Sequence, residues 1–462
     1  MYAQPSMSDF GTYRTLTGCP GVGGGTVYLT RPLVWTLLVA GFALSPVGDF
    51  LSVFALKGGV GGDFGARYSL FLRGIVLAGL VVAMSIRGKV QLSSLRIMLL
   101  VAVAISASSI SYALAGMTNG EYVEEVIAIL KVFSFFVYVA ALSGLSDRQL
   151  AKLEPVVRAA LLIYALSIFA GAIFSIDMFR SYRGDTQIRA GYKGIVYAQN
   201  ETSALMMVGL AYGCLRVLRR GWTFFDAFFV GLLLTASLLV GTKGAMAGAL
   251  GVICAYFYAR YGILKATLRA TSVAMLLVGI AIVVYVSVPA VQQAVDLSIN
   301  YFTYQRDRTS DDQMLTIVMS GRNVKLANVW SELGHQNYVA LLTGGYPTVR
   351  YPIEIDGPDL VLALGFPVFS FYLFDLGRTF IRRRGGPMVR FGKLFFVVLM
   401  VIACTAGHVL VSAIVSPFLA VIAVLVNRAA ISRNSSSSNH KAARRCTPRA
   451  QPLVRQQERA FP

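Results

Sequence analysis

Residues 222–260 read WTFFDAFFVGLLLTASLLVGTKGAMAGALGVICAYFYAR. Two apolar runs, 222–240 and 243–259, are joined by Gly241 and Thr242, with Lys243 at the mouth of the second run. Each run is close to the about 20 residues with which a helix crosses roughly 30 Å of hydrocarbon. Glycine permits the tight turn between them. A hairpin with so little polar surface belongs in a bilayer, where a helix satisfies its own backbone.

The pattern repeats in both directions. Further runs lie at 30–46, 66–84, 96–115, 123–144, 156–177, 194–215, 268–288, 359–377, 392–406 and 408–427, so twelve spans are expected. The last two share a turn around Ala406, Gly407 and His408. Composition agrees: 56% of the 462 residues are hydrophobic and 14% are charged, where a soluble domain has about a quarter charged. The expected fold class is an all-α polytopic membrane protein with about 12 transmembrane helices and one large loop. The five cysteines show no disulfide or zinc spacing. The apolar run nearest the N-terminus starts near Leu29 behind a polar, Gly-rich lead, which does not read as a cleavable signal peptide.

A net charge of +20 raises the question of nucleic acid, and the distribution answers it. The basic residues sit in short loops between apolar runs: Arg87/Lys89/Arg96, Arg148/Lys152/Arg158, Arg216/Arg219/Arg220, Arg260/Lys265/Arg269, the 378–393 loop, and the tail after Arg428. In an alternating twelve-span topology all of these fall on one side, which the positive-inside rule makes cytoplasmic. Both termini are then cytoplasmic and no nucleic-acid partner is expected. The expected organisation is an N-terminal segment over 1–29, nine spans within 30–288, a large outer loop over 289–358, three spans within 359–427, and a basic disordered tail over 428–462 that also touches anionic lipid.

Against that background some charges are out of place. Arg73 and Lys131 lie inside spans, and Glu201 sits in the polar run Gln199-Asn200-Glu201-Thr202-Ser203 near the head of another. Ionisable groups at membrane depth are costly and suggest function, with structural pairing or snorkelling as the plain alternative. The outer stretch FRSYRGDTQIRAGYKG (179–194) carries Arg180, Arg183, Arg189 and Lys193 against the positive-inside bias. An anionic ligand explains them, as does pairing with Asp177 and Asp185. The large outer loop ends in GGYPTVRYPIEIDGPDL (344–360), where Glu354, Asp356 and Asp359 gather just before a span, after Arg350. Asp359 also fits a helix cap.

The order of these features resembles the O-antigen polymerase and ligase group of multi-span enzymes. Three stretches carry the resemblance: Arg189-x-Gly191 leading to Asn200 in IRAGYKGIVYAQNETSA (188–204); the hairpin LLVGTKGAMAGAL (238–250), with Thr242-Lys243-Gly244 where the family shows Ser-Arg-Gly; and a large outer loop with Ser320-Gly321-Arg322, Gly344-Gly345, and polar residues from Glu354 to Asp359 before the next span. Family ligases show His-Asn where this chain has its acid cluster, a departure that favours a polymerase. The resemblance implies a metal-independent, cofactor-free glycosyltransferase of the bacterial inner membrane, with the large loop periplasmic. It would join undecaprenyl-pyrophosphate-linked oligosaccharide units into O-antigen, capsule or exopolysaccharide. Arg189, Lys193, Asn200, Lys243, Arg322 and Arg350 would bind substrate pyrophosphate, and Glu354, Asp356 or Asp359 would serve as base. Partners implied are the lipid-linked oligosaccharide, membrane lipid, a chain-length regulator and a flippase. A ligase and a lipid-linked oligosaccharide flippase are the alternatives.

Overall fold

The computed structural model describes residues 24–57, 67–86, 92–114, 117–181, 191–287, 319–335, 338–381 and 385–445, with a few single positions between 288 and 318. Among these the regular elements are all helices, apart from an isolated bridge between Arg180 and Tyr192. The helices are α1 Gly24–Lys57, α2 Tyr68–Ser85, α3 Leu92–Leu114, α4 Asn119–Ser143, α5 Asp147–Phe174, α6 Gln199–Arg220, α7 Phe224–Leu239, α8 Lys243–Arg260 and α9 Ile263–Ser287. They continue as α10 Arg322–His335, α11 Val339–Thr343, α12 Asp356–Ile381, α13 Pro387–Ala403 and α14 Val415–Arg445. Seven of them, α1 to α6 and α12, are long and apolar enough to cross a membrane. α7 and residues 415–430 of α14 are apolar but shorter.

Local chemistry sets the helix ends. Thr118 and Glu121 form a capping box at the head of α4, and Ser146 and Gln149 form another on α5. Thr223 caps α7 and Thr242 caps α8, each accepting an N–H three residues on. The sequence expects spans 392–406 and 408–427 to meet at a tight turn. Instead α13 ends at Ala403, a non-helical crossing segment runs over 404–414, and α14 starts at Val415 with Ser412 Oγ accepting from the Val415 N–H at 3.3 Å. The gap expected between the runs 30–46 and 66–84 is likewise shortened, because α1 continues through Pro46 to Lys57.

α6 forms the centre of the bundle, with 83% of its apolar window buried. It packs on α7, α8, α13 and α14, and its glycines let neighbours close in: Leu161 of α5 and Leu233 of α7 meet Gly209. α1 packs on α2 and α5, and there the interior is ionic. Arg73 of α2 donates to Asp49 and, at 2.9 Å, to Ser45, both on α1. The Tyr164 hydroxyl of α5 donates to Asp49 at 2.5 Å. Arg73 at this depth is therefore paired. Asp49, which the sequence places in a loop, becomes its partner because α1 is longer than expected.

α12 is broken at Gly365, where φ is 76°. Residues 344–346 dock into the break: the Gly345 N–H donates to the Ala363 carbonyl at 2.9 Å and the Tyr346 N–H to that of Leu362 at 3.1 Å. A Cβ on Gly344 would stand 2.5 Å from the Leu364 carbonyl carbon, so the step tolerates only glycine there. α10 is seated on the same region by Val329 and Leu333, which pack with Tyr346, Ile353 and Ile355 in a second small core.

The Asp49–Arg73 pair yields a test of packing. Asp49→Ala leaves a buried guanidinium without its carboxylate and is expected to cost about 3–5 kcal/mol, whereas the double change Asp49→Leu, Arg73→Met recovers most of it. Thermal unfolding in detergent measures both. Equal losses in the single and double variants would refute the assignment.

Candidate functional site

The heads of α4, α6, α8 and α12 and the crossing segment 404–414 share one end of the bundle, and the sequence-selected residues sort themselves there. Asp356 is 1% exposed. Its carboxylate accepts three consecutive backbone N–H groups of the crossing segment, from His408 at 2.5 Å, Val409 at 2.8 Å and Leu410 at 2.6 Å. Asp359 accepts the Ile353 and Glu354 N–H groups, each at 3.0 Å. Both carboxylates are therefore engaged by backbone, and each fixes a loop in place.

Glu354 differs. It is half-buried, with φ 66°, and accepts Lys325 Nζ at 2.5 Å, while Arg322 Nε lies 3.7 Å from its other oxygen. Arg322 Nη1 also donates to the Thr405 carbonyl at 3.3 Å, so α10 ties Glu354 to the crossing segment through this arginine. Gly407 lies flush against Glu354: a Cβ there would be 2.7 Å from the Glu354 carbonyl oxygen. The next residue, His408, is exposed with φ 68°. Its main chain is clamped by Asp356 and its imidazole projects from the clamped turn.

The crossing segment also reaches the head of α6. Ser412 donates to Glu201 Oε1 at 2.9 Å. Ser203 and Thr242 share a hydrogen bond of 2.7 Å, and an ideal Cβ on Gly244 would lie 3.6 Å from Ala406 Cβ. Lys243, exposed at the start of α8, is thereby brought beside the segment that carries His408. Glu201, Lys243, Arg322, Lys325, Glu354, Asp356 and His408 thus form one constellation.

Other selected residues stand apart from it. Arg350 forks onto Glu121, Nε at 2.8 Å and Nη2 at 2.7 Å, and this pairing raises the arginine's pKa further above its usual range. Thr348 Oγ1 and the Val349 N–H bond Glu125 at 2.8 and 3.2 Å, so 348–350 is a latch on α4. Lys193 is 7% exposed and donates to the Tyr197 carbonyl at 2.5 Å, bracing the loop that leads into α6. Asn200 is half-buried in the first turn of α6. Arg189 lies outside the described residues. Lys131 is half-buried on α4.

Sequence reasoning overlooked Lys325, Ser412, Glu121 and Glu125, and treated His408 only as a turn residue. The signals were faint: carboxylates spaced i, i+4 at a helix head, and a Gly-His step in an otherwise apolar stretch. Among the described residues, no group of three or more His, Cys, Asp and Glu side chains is placed to hold a metal ion.

No family model, no curated protein and no solved structure matches this chain.

If Asp356 is a backbone clamp, Asp356→Ala strands buried N–H groups and costs at least about 2 kcal/mol. Hydrogen exchange at 408–410 rises with it. Unchanged exchange there would show that the clamp is not holding the segment.

Proposed function

We propose that this chain is a glycosyltransferase of the bacterial inner membrane. It would polymerise undecaprenyl-pyrophosphate-linked oligosaccharide units into surface polysaccharide at the periplasmic face. The observation that carries the reading is the constellation itself: an exposed imidazole on a clamped turn, with Lys243, Arg322 and Lys325 at the same end of an apolar helical bundle. The order of motifs along the sequence supports it. The reading takes α7, α8, α9, α13 and the first half of α14 as spans beside the seven helices that are long and apolar enough to cross a membrane. With both termini cytoplasmic, the constellation faces the periplasm and 289–358 is the large periplasmic loop.

The chemistry follows from what each group has left to offer. Asp356 and Asp359 are engaged by N–H groups, and Glu354 is held by Lys325. His408 is the exposed proton acceptor of the set, and imidazole is suited to taking a hydroxyl proton near neutral pH. In the proposed step His408 removes the proton from the acceptor sugar's hydroxyl. That oxygen bonds the donor's anomeric carbon as the carbon–oxygen bond to pyrophosphate breaks. The departing lipid pyrophosphate is stabilised by Arg322, Lys325 and Lys243. Attack opposite the leaving group gives an inverting, metal-independent transfer.

A flippase reading draws on other residues, the Asp49–Arg73–Tyr164 network and Lys131 at membrane depth. Deletion of the gene separates the readings by the size and location of the glycan. Polymerase predicts single repeat units at the surface and no long chains. Long chains stranded on the carrier would mean ligase, and carrier-linked units held in the inner leaflet would mean flippase. Within the polymerase reading, His408→Ala is expected to cut transfer by about 10²- to 10⁴-fold with Tm within a few degrees of wild type. Full activity in that variant would remove His408 from the mechanism.

A further inference from the structure

At the end of the bundle opposite this constellation, α8 stops at Arg260 and α9 starts at Ile263. Between them the Tyr261 ring collects two guanidinium groups. Arg269 Cζ lies 3.8 Å from its centroid and Arg260 Cζ lies 5.6 Å away. Arg260 Nη1 also donates to the Tyr256 hydroxyl at 2.7 Å, and Trp222 Nε1 donates to the same oxygen at 2.9 Å. Lys265, one turn into α9, is a third exposed cation.

Two buried carboxylates at this end of the bundle are paired with other arginines, Glu154 with Arg219 at 2.5 Å and Asp226 with Arg216 at 2.6 Å. Among the described residues Arg260, Lys265 and Arg269 form no ion pair. A ring face attracts a cation without neutralising it, and like charges gathered on one ring repel unless an anion joins them. At the same end of the bundle, Phe224 and Phe225 at the head of α7 and Ile263 and Leu264 at the head of α9 are 73–81% exposed. A positive patch bordered by bare apolar side chains fits a ligand that is anionic at one end and apolar at the other.

We propose that Arg260, Lys265 and Arg269 bind the phosphate of an anionic phospholipid, whose acyl chains lie along Phe224, Phe225, Ile263 and Leu264. Arginine forks match phosphate oxygens, and the tyrosine platform holds both forks in place with little freedom to lose on binding. The site is remote from the proposed catalytic groups and does not depend on the sugar chemistry assigned to them.

Native mass spectrometry of the purified full chain tests it, with phosphatidylglycerol and phosphatidylcholine as probes. Wild type is expected to retain phosphatidylglycerol roughly tenfold better, in line with the attraction of a few basic residues to anionic lipid. The double variant Arg260→Gln, Arg269→Gln loses that preference. Arg148→Gln with Lys152→Gln removes the same charge from exposed positions at the same end and keeps it. Equal retention of both lipids by wild type overturns the proposal without recourse to any variant. A preference that survives in the first double variant, or disappears equally in the control, overturns it too.

Discussion

Three backbone N–H groups on one buried carboxylate hold the candidate site together. The crossing segment 404–414 is not helical; the N–H groups of 404–406 still reach carbonyls of α13, and those beyond need other acceptors. Inside an apolar bundle, leaving such groups unpaired is expensive. Asp356 takes the N–H groups of His408, Val409 and Leu410, and in doing so ties the segment to the head of α12. The remaining features follow from that attachment. Gly407 must lie flat on Glu354, Ser412 reaches Glu201 and opens α14, and His408 is presented at the surface on a rigid turn.

The carboxylates of this end divide by what they touch. Glu121 and Glu125 receive the 348–350 latch, Asp356 and Asp359 receive backbone, and Glu354 receives Lys325. Arg322, itself on Glu354 and the Thr405 carbonyl, and exposed Lys243 and His408 lie at the same end. The broken helix serves the same end. The Gly344-Gly345 step threads into the break at Gly365, and this threading brings 350–356 back across the bundle to the crossing segment.

The bilayer makes much of this legible in advance. Apolar run length follows directly from the thickness of hydrocarbon, so α2, α7 and α8 lie within two residues of where the sequence puts them, while α5 starts at Asp147, well ahead of the expected 156. The special role of 344–360 was also visible, because clustered charge beside a span has few cheap explanations. Which carboxylate did what was not visible. Asp356 and Asp359 are chemically alike and three positions apart, and only the path of the 404–414 segment separates them. His408 was hidden for the same reason: its neighbours in space come from residues some fifty positions earlier.

The sequence alone determined that this chain is an assembly of apolar helices, roughly where each begins, and which polar stretches are exceptional. Those properties depend on local composition and on the length of chain needed to cross a membrane. Tertiary structure alone decided that Arg73 has Asp49 for a partner, that Arg350 is a latch, and that Asp356 is a clamp on His408. A buried polar group must be satisfied, and in a many-helix bundle the partner that satisfies it is chosen by packing, without regard to distance along the chain.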